Sequence, residues 1–203
     1  MICVAWLSMA GELEKAVVPL VARMLGAEQG ETPKWLLRPG ETECKGTWSI
    51  VRSIYSELTA LELPKAMPPR ETRRVDAVLI TRAGEHRILE VDETQHFNRY
   101  RALTLQRYPV DARVAFPVER WIEQSEKKTR LEGGGFGRPK PPLFPAEHGR
   151  HVQRAFRDML ADLLPPEHGW LPTLRIGDFE VLPWIYTEEA EARMRDLLAM
   201  RLD

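Results

Sequence analysis

Cysteine is scarce in this chain. Cys3 and Cys44 are the two in 203 residues, and they lie far apart, at no metal-ligand spacing. That argues against a disulfide framework and a zinc ribbon, and reduced thiols in a cytoplasmic protein are expected. No apolar run approaches the ~20 residues that cross a bilayer, so no membrane partner is expected. The apolar start Met1 to Met9 has no basic residue before it and is followed at once by Glu12 and Glu14, a pattern unlike a secretory signal. Neither sign of charge is in excess. With 29 basic and 30 acidic residues the net charge is −1, which counts against a basic coat for nucleic acid. There is no internal repeat, and Gly133-Gly134-Gly135-Phe136-Gly137 is the one low-complexity tract.

What is present is an ordinary globular composition, 43% hydrophobic, in a chain long enough for one domain with a sizeable core. Against that background two segments stand out: Arg74-Val75-Asp76 and Leu89-Glu90-Val91-Asp92-Glu93-Thr94-Gln95-His96. Both read as buried strands by alternation. Val75, Ala77 and Leu79 face one way, with Asp76, Val78 and Ile80 the other; Leu89 and Val91 share a face opposite Ile88, Glu90 and Asp92. Arg82-Ala83-Gly84 suits a hairpin loop, with Gly84 left-handed. Counting back from a Thr81–Glu85 pair puts Asp76 opposite Glu90. Opposed side chains stand roughly 4.5–5.5 Å apart. Like charges that close repel unless a cation sits between them or one acid is protonated.

The order of elements around these strands is coherent. Gly11 to Leu25 has helical spacing and Gly26 fits its end; Trp48 to Leu61 is a second helix, stopped by Pro64 and Pro68-Pro69. Asn98 is an N-cap for a helix to about Tyr108. Ala112 to Phe116 reads as a short buried strand beside the second acidic strand. Helices are expected over Val118 to Leu131, Gly149 to Leu164 and Thr187 to Met200, and a hairpin over Leu171 to Ile185 about Gly177-Asp178. The glycine tract lacks the Gly-Lys-Ser/Thr of a nucleotide loop and reads as a mobile basic loop. His148 and His151 lack the further ligands that zinc needs.

Asp, a hairpin, then Glu-x-(polar) resembles the PD-(D/E)xK nuclease superfamily. Arg-Val-Asp … Glu-Val-Asp-Glu-x-x-His is similar to the branch related to very-short-patch-repair endonucleases. The likeness covers roughly Trp48 to Phe116. It implies an α/β, restriction-endonuclease-like core, a mixed central β-sheet flanked by helices, whose elements run strand–strand–helix–strand. On that reading residues 1–203 form one domain. The core spans about 45–125, a basic Gly/Pro-rich loop 126–145, and a mostly helical extension with a hairpin 146–203. Asp76 and Glu90 are implied to bind Mg²⁺, with Mn²⁺ able to substitute, the Val91 carbonyl as a further ligand and Glu57 as an acid from the preceding helix. Val75 stands for the usual proline and Asp92 for the usual lysine. Activating water then falls to Asp92, Glu93 or His96, with Gln95 bonding the phosphate or capping the next helix.

The implied function is a metal-dependent endonuclease hydrolysing phosphodiester bonds, with DNA the expected polymer, in repair, restriction or defence. Phosphate contacts are expected from Arg74 before the first acid, from Arg99, Arg101 and Arg107 after the last, and from Lys127, Lys128, Arg138 and Lys140 around the glycine tract. Alternatives stay open. Asp76 has Arg73, Arg74 or Arg87 as ion-pair partners, and the same fold with a decayed site would bind nucleic acid or a protein without cutting. A further metal-dependent enzyme, on another substrate, also fits. A second copy of the chain or a protein partner is a further source of affinity.

Overall fold

The computed structural model describes residues 11–69, 74–131 and 134–202. Cys3, the apolar start, Arg70, Arg73 and Gly133 lie outside the described residues. The architecture is α/β. Four strands, β1 (Glu28–Gly30), β2 (Ala77–Ile80), β3 (His86–Asp92) and β4 (Leu174–Gly177), lie side by side in that order. β1, β2 and β3 are antiparallel, and β4 runs parallel to β3. The hairpin forms as its sequence predicts. Gly84 has φ 80°, the Thr81 N–H donates to the Glu85 carbonyl at 2.9 Å, and Ala77 stands opposite Leu89.

Alternation divides the sheet into two unlike faces. Ala77, Leu79, Leu89, Val91, Leu174 and Ile176 pack into one apolar cluster with α1 (Glu12–Leu25) and a C-terminal helix over Ala190–Leu202. The α1 stripe Leu13, Val17, Leu20 and Val21 supplies that contact, and the helix ends at Gly26, whose left-handed N–H reaches the Ala22 and Arg23 carbonyls.

The opposite face is apolar only at one end, where Ile88 packs in a cluster shared with two further helices. Two one-turn helices, α2 (Lys34–Leu37) and α3 (Glu41–Cys44), lead into the first of these, α4 (Trp48–Thr59). α5 (Arg99–Gln106) follows β3 and is capped by Asn98, whose side chain accepts the Tyr100 and Arg101 N–H groups at 3.0 and 3.2 Å. α6 (Val118–Lys127) inserts Trp121 among Phe97, Phe116 and Phe179. α7 (Gly149–Glu167) then crosses the second face of the sheet.

Several elements differ from their sequence reading, each for a local reason. Ala112 to Phe116 is no strand. It makes a single bridge, Ala115 to Leu174, because β4 already occupies the free edge of β3. The expected hairpin over 171–185 is absent. Gly177 starts a one-turn helix, α8 (Asp178–Val181), and its N–H donates to Glu180 at 3.1 Å. The segment beyond 146 is therefore no mere extension, since it supplies a strand of the central sheet. α7 continues past Leu164 through Pro165. The Ala161 carbonyl, which Pro165 cannot serve, accepts the Thr173 hydroxyl instead. α4 ends at Ala60 (φ 57°), so Leu61 is exposed rather than inward. The C-terminal helix, α9, begins at Ala190 rather than Thr187. No helix among the described residues is long and apolar enough to cross a membrane.

Leu89 is wholly buried at the centre of the sheet, whereas Val110 is fully exposed. Leu89→Ala is expected to cost ~2–5 kcal/mol and Val110→Ala almost nothing, read as urea midpoints. A near-silent Leu89→Ala would contradict the face assignment.

Candidate functional site

The acidic hairpin end opens into a cleft of about 180 Å³ lined by Arg74, Asp76, Glu90, His96, Asp158 and three arginines of α7, namely Arg150, Arg154 and Arg157. Asp76 lies one residue before β2. The reason is local. Its carboxylate Oδ2, not its backbone, accepts the Val91 N–H, at 2.7 Å, so the ladder stops at Ala77. Extending the register by one step places Asp76 opposite Glu90, as the sequence implies. Glu90 is buried. Burial pushes Asp76 up from 3.8 to about 6. The Val91 N–H and His96 pull the other way, and Glu14 and Asp92 add to the rise.

Asp92 has a different role from the one expected at the lysine position. It is wholly buried, with Oδ1 accepting from Arg175 and Oδ2 from the Trp121 indole, both at 2.6 Å. Arg175, on β4, also donates to Asp162 at 2.6 Å and to the Asp158 carbonyl at 3.0 Å. Arg101 completes the group, reaching Asp162 at 2.7 Å and the Tyr108 hydroxyl at 2.9 Å, while that hydroxyl donates to Asp162 at 2.6 Å. Two guanidiniums and one imidazole thus face three carboxylates. With His96 charged the group is neutral, which leaves Asp92 no spare charge for a second metal.

His96 faces two of these acids. Its Nδ1 stands 3.0 Å from Asp158 and 3.3 Å from Asp92. Burial lowers its pKa, but Asp158 and Asp92 outweigh burial and hold it above the ordinary value. Burial would likewise raise both acids. Arg175 and His96 hold Asp92 below the carboxylate range, and His96 and Arg175 do the same for Asp158. The raised pKa of His96 favours the imidazolium, the form that lacks a lone pair with which to act as a base. Its side chain is 16% exposed and lines the cleft.

The remaining expected residues divide. Glu93 is turned toward α1, where it accepts the Gly11 N–H at 3.2 Å and the Gln95 amide at 3.0 Å. Gln95 therefore neither caps α5 nor lines the cleft. Glu57 sits on α4 in a two-pronged ion pair with Arg107, at 2.6 and 2.7 Å, outside the cleft lining. The acid that α helices do bring near is Glu14 of α1, raised by burial and then by Glu93 and Glu90. Arg101 is wholly buried, so no phosphate can reach it. Arg99 lies over the Tyr100 ring, Lys127 pairs with Glu123, and Lys128 donates to the Thr94 carbonyl at 2.7 Å. Arg74 lines the cleft as expected, and Arg138 and Lys140 stand in the loop before α7.

Sequence reasoning missed Asp158, Asp162, Arg175 and the three α7 arginines. Their signal was present. Asp158 and Asp162 stand one turn apart among Phe156, Met159, Leu160 and Leu163, and Arg175 stands between Leu174 and Ile176. Charges in apolar runs were the criterion that singled out Asp76.

Two outcomes follow. Arg175→Met strands Asp92 and Asp162 without their guanidinium and is expected to cost ~3–5 kcal/mol in urea unfolding; a loss under ~1 kcal/mol would mean the network is not buried as described. Asp76→Asn acts in the opposite sense. Because folding raises the Asp76 pKa from 3.8 to about 6, the wild type loses stability as pH rises through that window. The variant is expected to be as stable as the wild type near pH 4 and more stable, by at most about 3 kcal/mol, at pH 7.5. Parallel urea midpoints across that range would show no divergence if Asp76 were solvated.

No curated protein and no solved structure matches the chain. One family model does, over residues 53–198, a span that holds Asp76, Glu90, the α7 arginines and Arg175. On that match the chain belongs to the family described as Family of unknown function (DUF7255).

Proposed function

We propose that the chain is a metal-dependent nuclease that hydrolyses phosphodiester bonds in nucleic acid, with DNA the first polymer to test. One observation carries the reading. Two acids from neighbouring strands, Asp76 and Glu90, share a cleft with four arginines. Acids suited to a divalent cation and arginines suited to phosphate are the two parts that such a hydrolysis requires. The topology supports a restriction-endonuclease-like core. After the acidic hairpin come a helix, α5, and a strand, β4, parallel to β3. That is the required order, with α6 and α7 added between.

The residues present fit Mg²⁺, with Mn²⁺ as a substitute. The donors are all oxygen, and Asp76 is a half-buried carboxyl whose pKa burial raises, a shift that a cation would relieve. Asp76 and Glu90 would hold it, with the Val91 carbonyl as a further oxygen. Among the described residues no three His, Cys, Asp or Glu side chains group to chelate a metal by themselves, so water and phosphate oxygens would complete the sphere, as is common for Mg²⁺. Bound there, the ion would lower the pKa of a water and offset charge on the phosphate. The protein supplies the rest. Asp158 and Asp92 favour the protonated form of His96, which would offer its remaining N–H to a phosphate oxygen or to the leaving group.

A second reading has its own observation. Asp92 stands at the lysine position and is fully engaged by Arg175 and Trp121, and the cleft holds four arginines beside its acids. A protein that binds nucleic acid without cutting has this arrangement too. Supercoiled plasmid, linear duplex and single-stranded DNA, each with Mg²⁺, Mn²⁺ or EDTA, separate the two. Metal-dependent cutting that falls at least ~100-fold in Asp76→Asn and Glu90→Gln is expected for a hydrolase that depends on these carboxylates. No cutting, together with no calorimetric Mn²⁺ binding, would rule out the nuclease and leave the binder.

A further inference from the structure

Of the phosphate contacts expected of α5, Arg101 is buried and Arg107 is committed to Glu57, which leaves Arg99. The cleft carries its cations elsewhere. Arg150, Arg154 and Arg157 follow i, i+4, i+7 spacing and so share one face of α7, spread over about 10 Å of helix axis. Arg74 lines the same cleft from the start of the hairpin.

We infer that α7 is the element that carries the substrate backbone: Arg150, Arg154 and Arg157, with Arg74, grip successive phosphates of a polynucleotide strand and lay it past Asp76 and Glu90.

Charge supports this. Four arginines face three carboxylates in the cleft, so its lining is net positive even without His96, in a chain whose net charge is −1. The positive charge is therefore sorted to one place, where it attracts phosphate. Its chemistry also fits, because the planar guanidinium fork matches phosphate oxygens better than an ammonium does. The three α7 side chains are half-buried, and Arg150 donates to Gln153 at 2.9 Å, which orients its fork before anything binds.

Length favours a polymer. One nucleotide's phosphate needs one or two forks, and here four line a cleft that does not end at α7. The Arg150 N–H donates to the Arg138 carbonyl at 3.0 Å, and Lys140 and Phe144 exchange two backbone hydrogen bonds, at 2.6 and 2.8 Å. These bonds fasten the loop bearing Arg138 and Lys140 to the start of α7. Gly149 permits the contact, since a Cβ there would stand 2.2 Å from the Phe144 carbonyl. The backbone of the loop that carries Arg138 and Lys140 is thus anchored beside Arg150 of the cleft.

The strand assignment rests on the nucleic-acid part of the proposed function, and binding measured in EDTA keeps it separate from cutting. Fluorescence anisotropy of a labelled duplex and a single-stranded oligonucleotide, titrated from about 50 to about 200 mM salt, reads the number of phosphates engaged. Four contacts on duplex predict a loss of about 100-fold in affinity over that range. Arg154→Gln, and separately Arg150→Gln and Arg157→Gln, is expected to flatten the log–log slope by about 0.9 on duplex or about 0.7 on single strands. Arg154→Lys keeps the charge and is expected to keep the slope. Arg74→Gln, at an exposed side chain, gives the same readout should an α7 variant fail to fold, with circular dichroism as the check.

Unchanged slopes in all four glutamine variants would overturn the assignment, even if Mg²⁺-dependent cutting is observed. So would the absence of oligonucleotide binding, or full displacement of the oligonucleotide by equimolar mononucleotide. Flattened slopes without any cutting would uphold the backbone track and leave only the hydrolytic reading to fall.

Discussion

Arg175 is the residue on which most of this structure depends. It has no exposed surface, it belongs to the parallel edge strand, and it reaches Asp92 in β3 and Asp162 in α7. A guanidinium out of water is tolerable only when its donors are met and its charge is balanced. That condition fixes the position of α7 against the sheet and draws in Arg101, Tyr108, Asp158 and His96. The two sheet faces differ for the same reason. One is closed by apolar packing under α1 and α9, the other by Ile88 and its neighbours at one end and by paired charges at the other.

The network also sorts two like residues into opposite states. Asp92, wholly buried, and Asp76, half-buried, both stand at the end of the hairpin. Asp92 meets a guanidinium, and its pKa falls; Asp76 meets a backbone N–H, and burial lifts its pKa to about 6. Of the two, Asp76 is the one whose pKa a bound cation would bring down. The same balance favours the imidazolium of His96, because removing its proton would leave Asp158 and Asp92 with one cation fewer between them.

How much of this was legible in the sequence depended on range. The hairpin was, since Gly84, the alternation of Ala77 to Ile80 and that of His86 to Asp92 are local signals that agree on one register. The Asn98 cap and the Gly26 stop were legible for the same reason. The partner of β3 was not. Ala112 to Phe116 and Leu174 to Gly177 are both short apolar runs, and what decides between them is Arg175, a charge whose complement lies 83 residues away. The sites followed suit. Asp76 and Glu90 meet within one hairpin and could be paired by counting, whereas Asp92's role needed β4 and α7 in place. Arg101 looked like a surface cation because helical spacing does not reveal a buried acid on another helix.

The separation between Asp92 and Arg175 bears on how the chain reaches this state. During synthesis from the N-terminus, the hairpin, α5, α6 and α7 all emerge while residue 175 is still unmade. Asp92, Asp158 and Asp162 must then stay hydrated, because burying them without that guanidinium is costly. The second face of the sheet therefore cannot close stepwise. It closes when β4 slides in beside β3, bringing cation and strand together, and the late arrival of one arginine makes the charged half of the core an all-or-none event of high contact order.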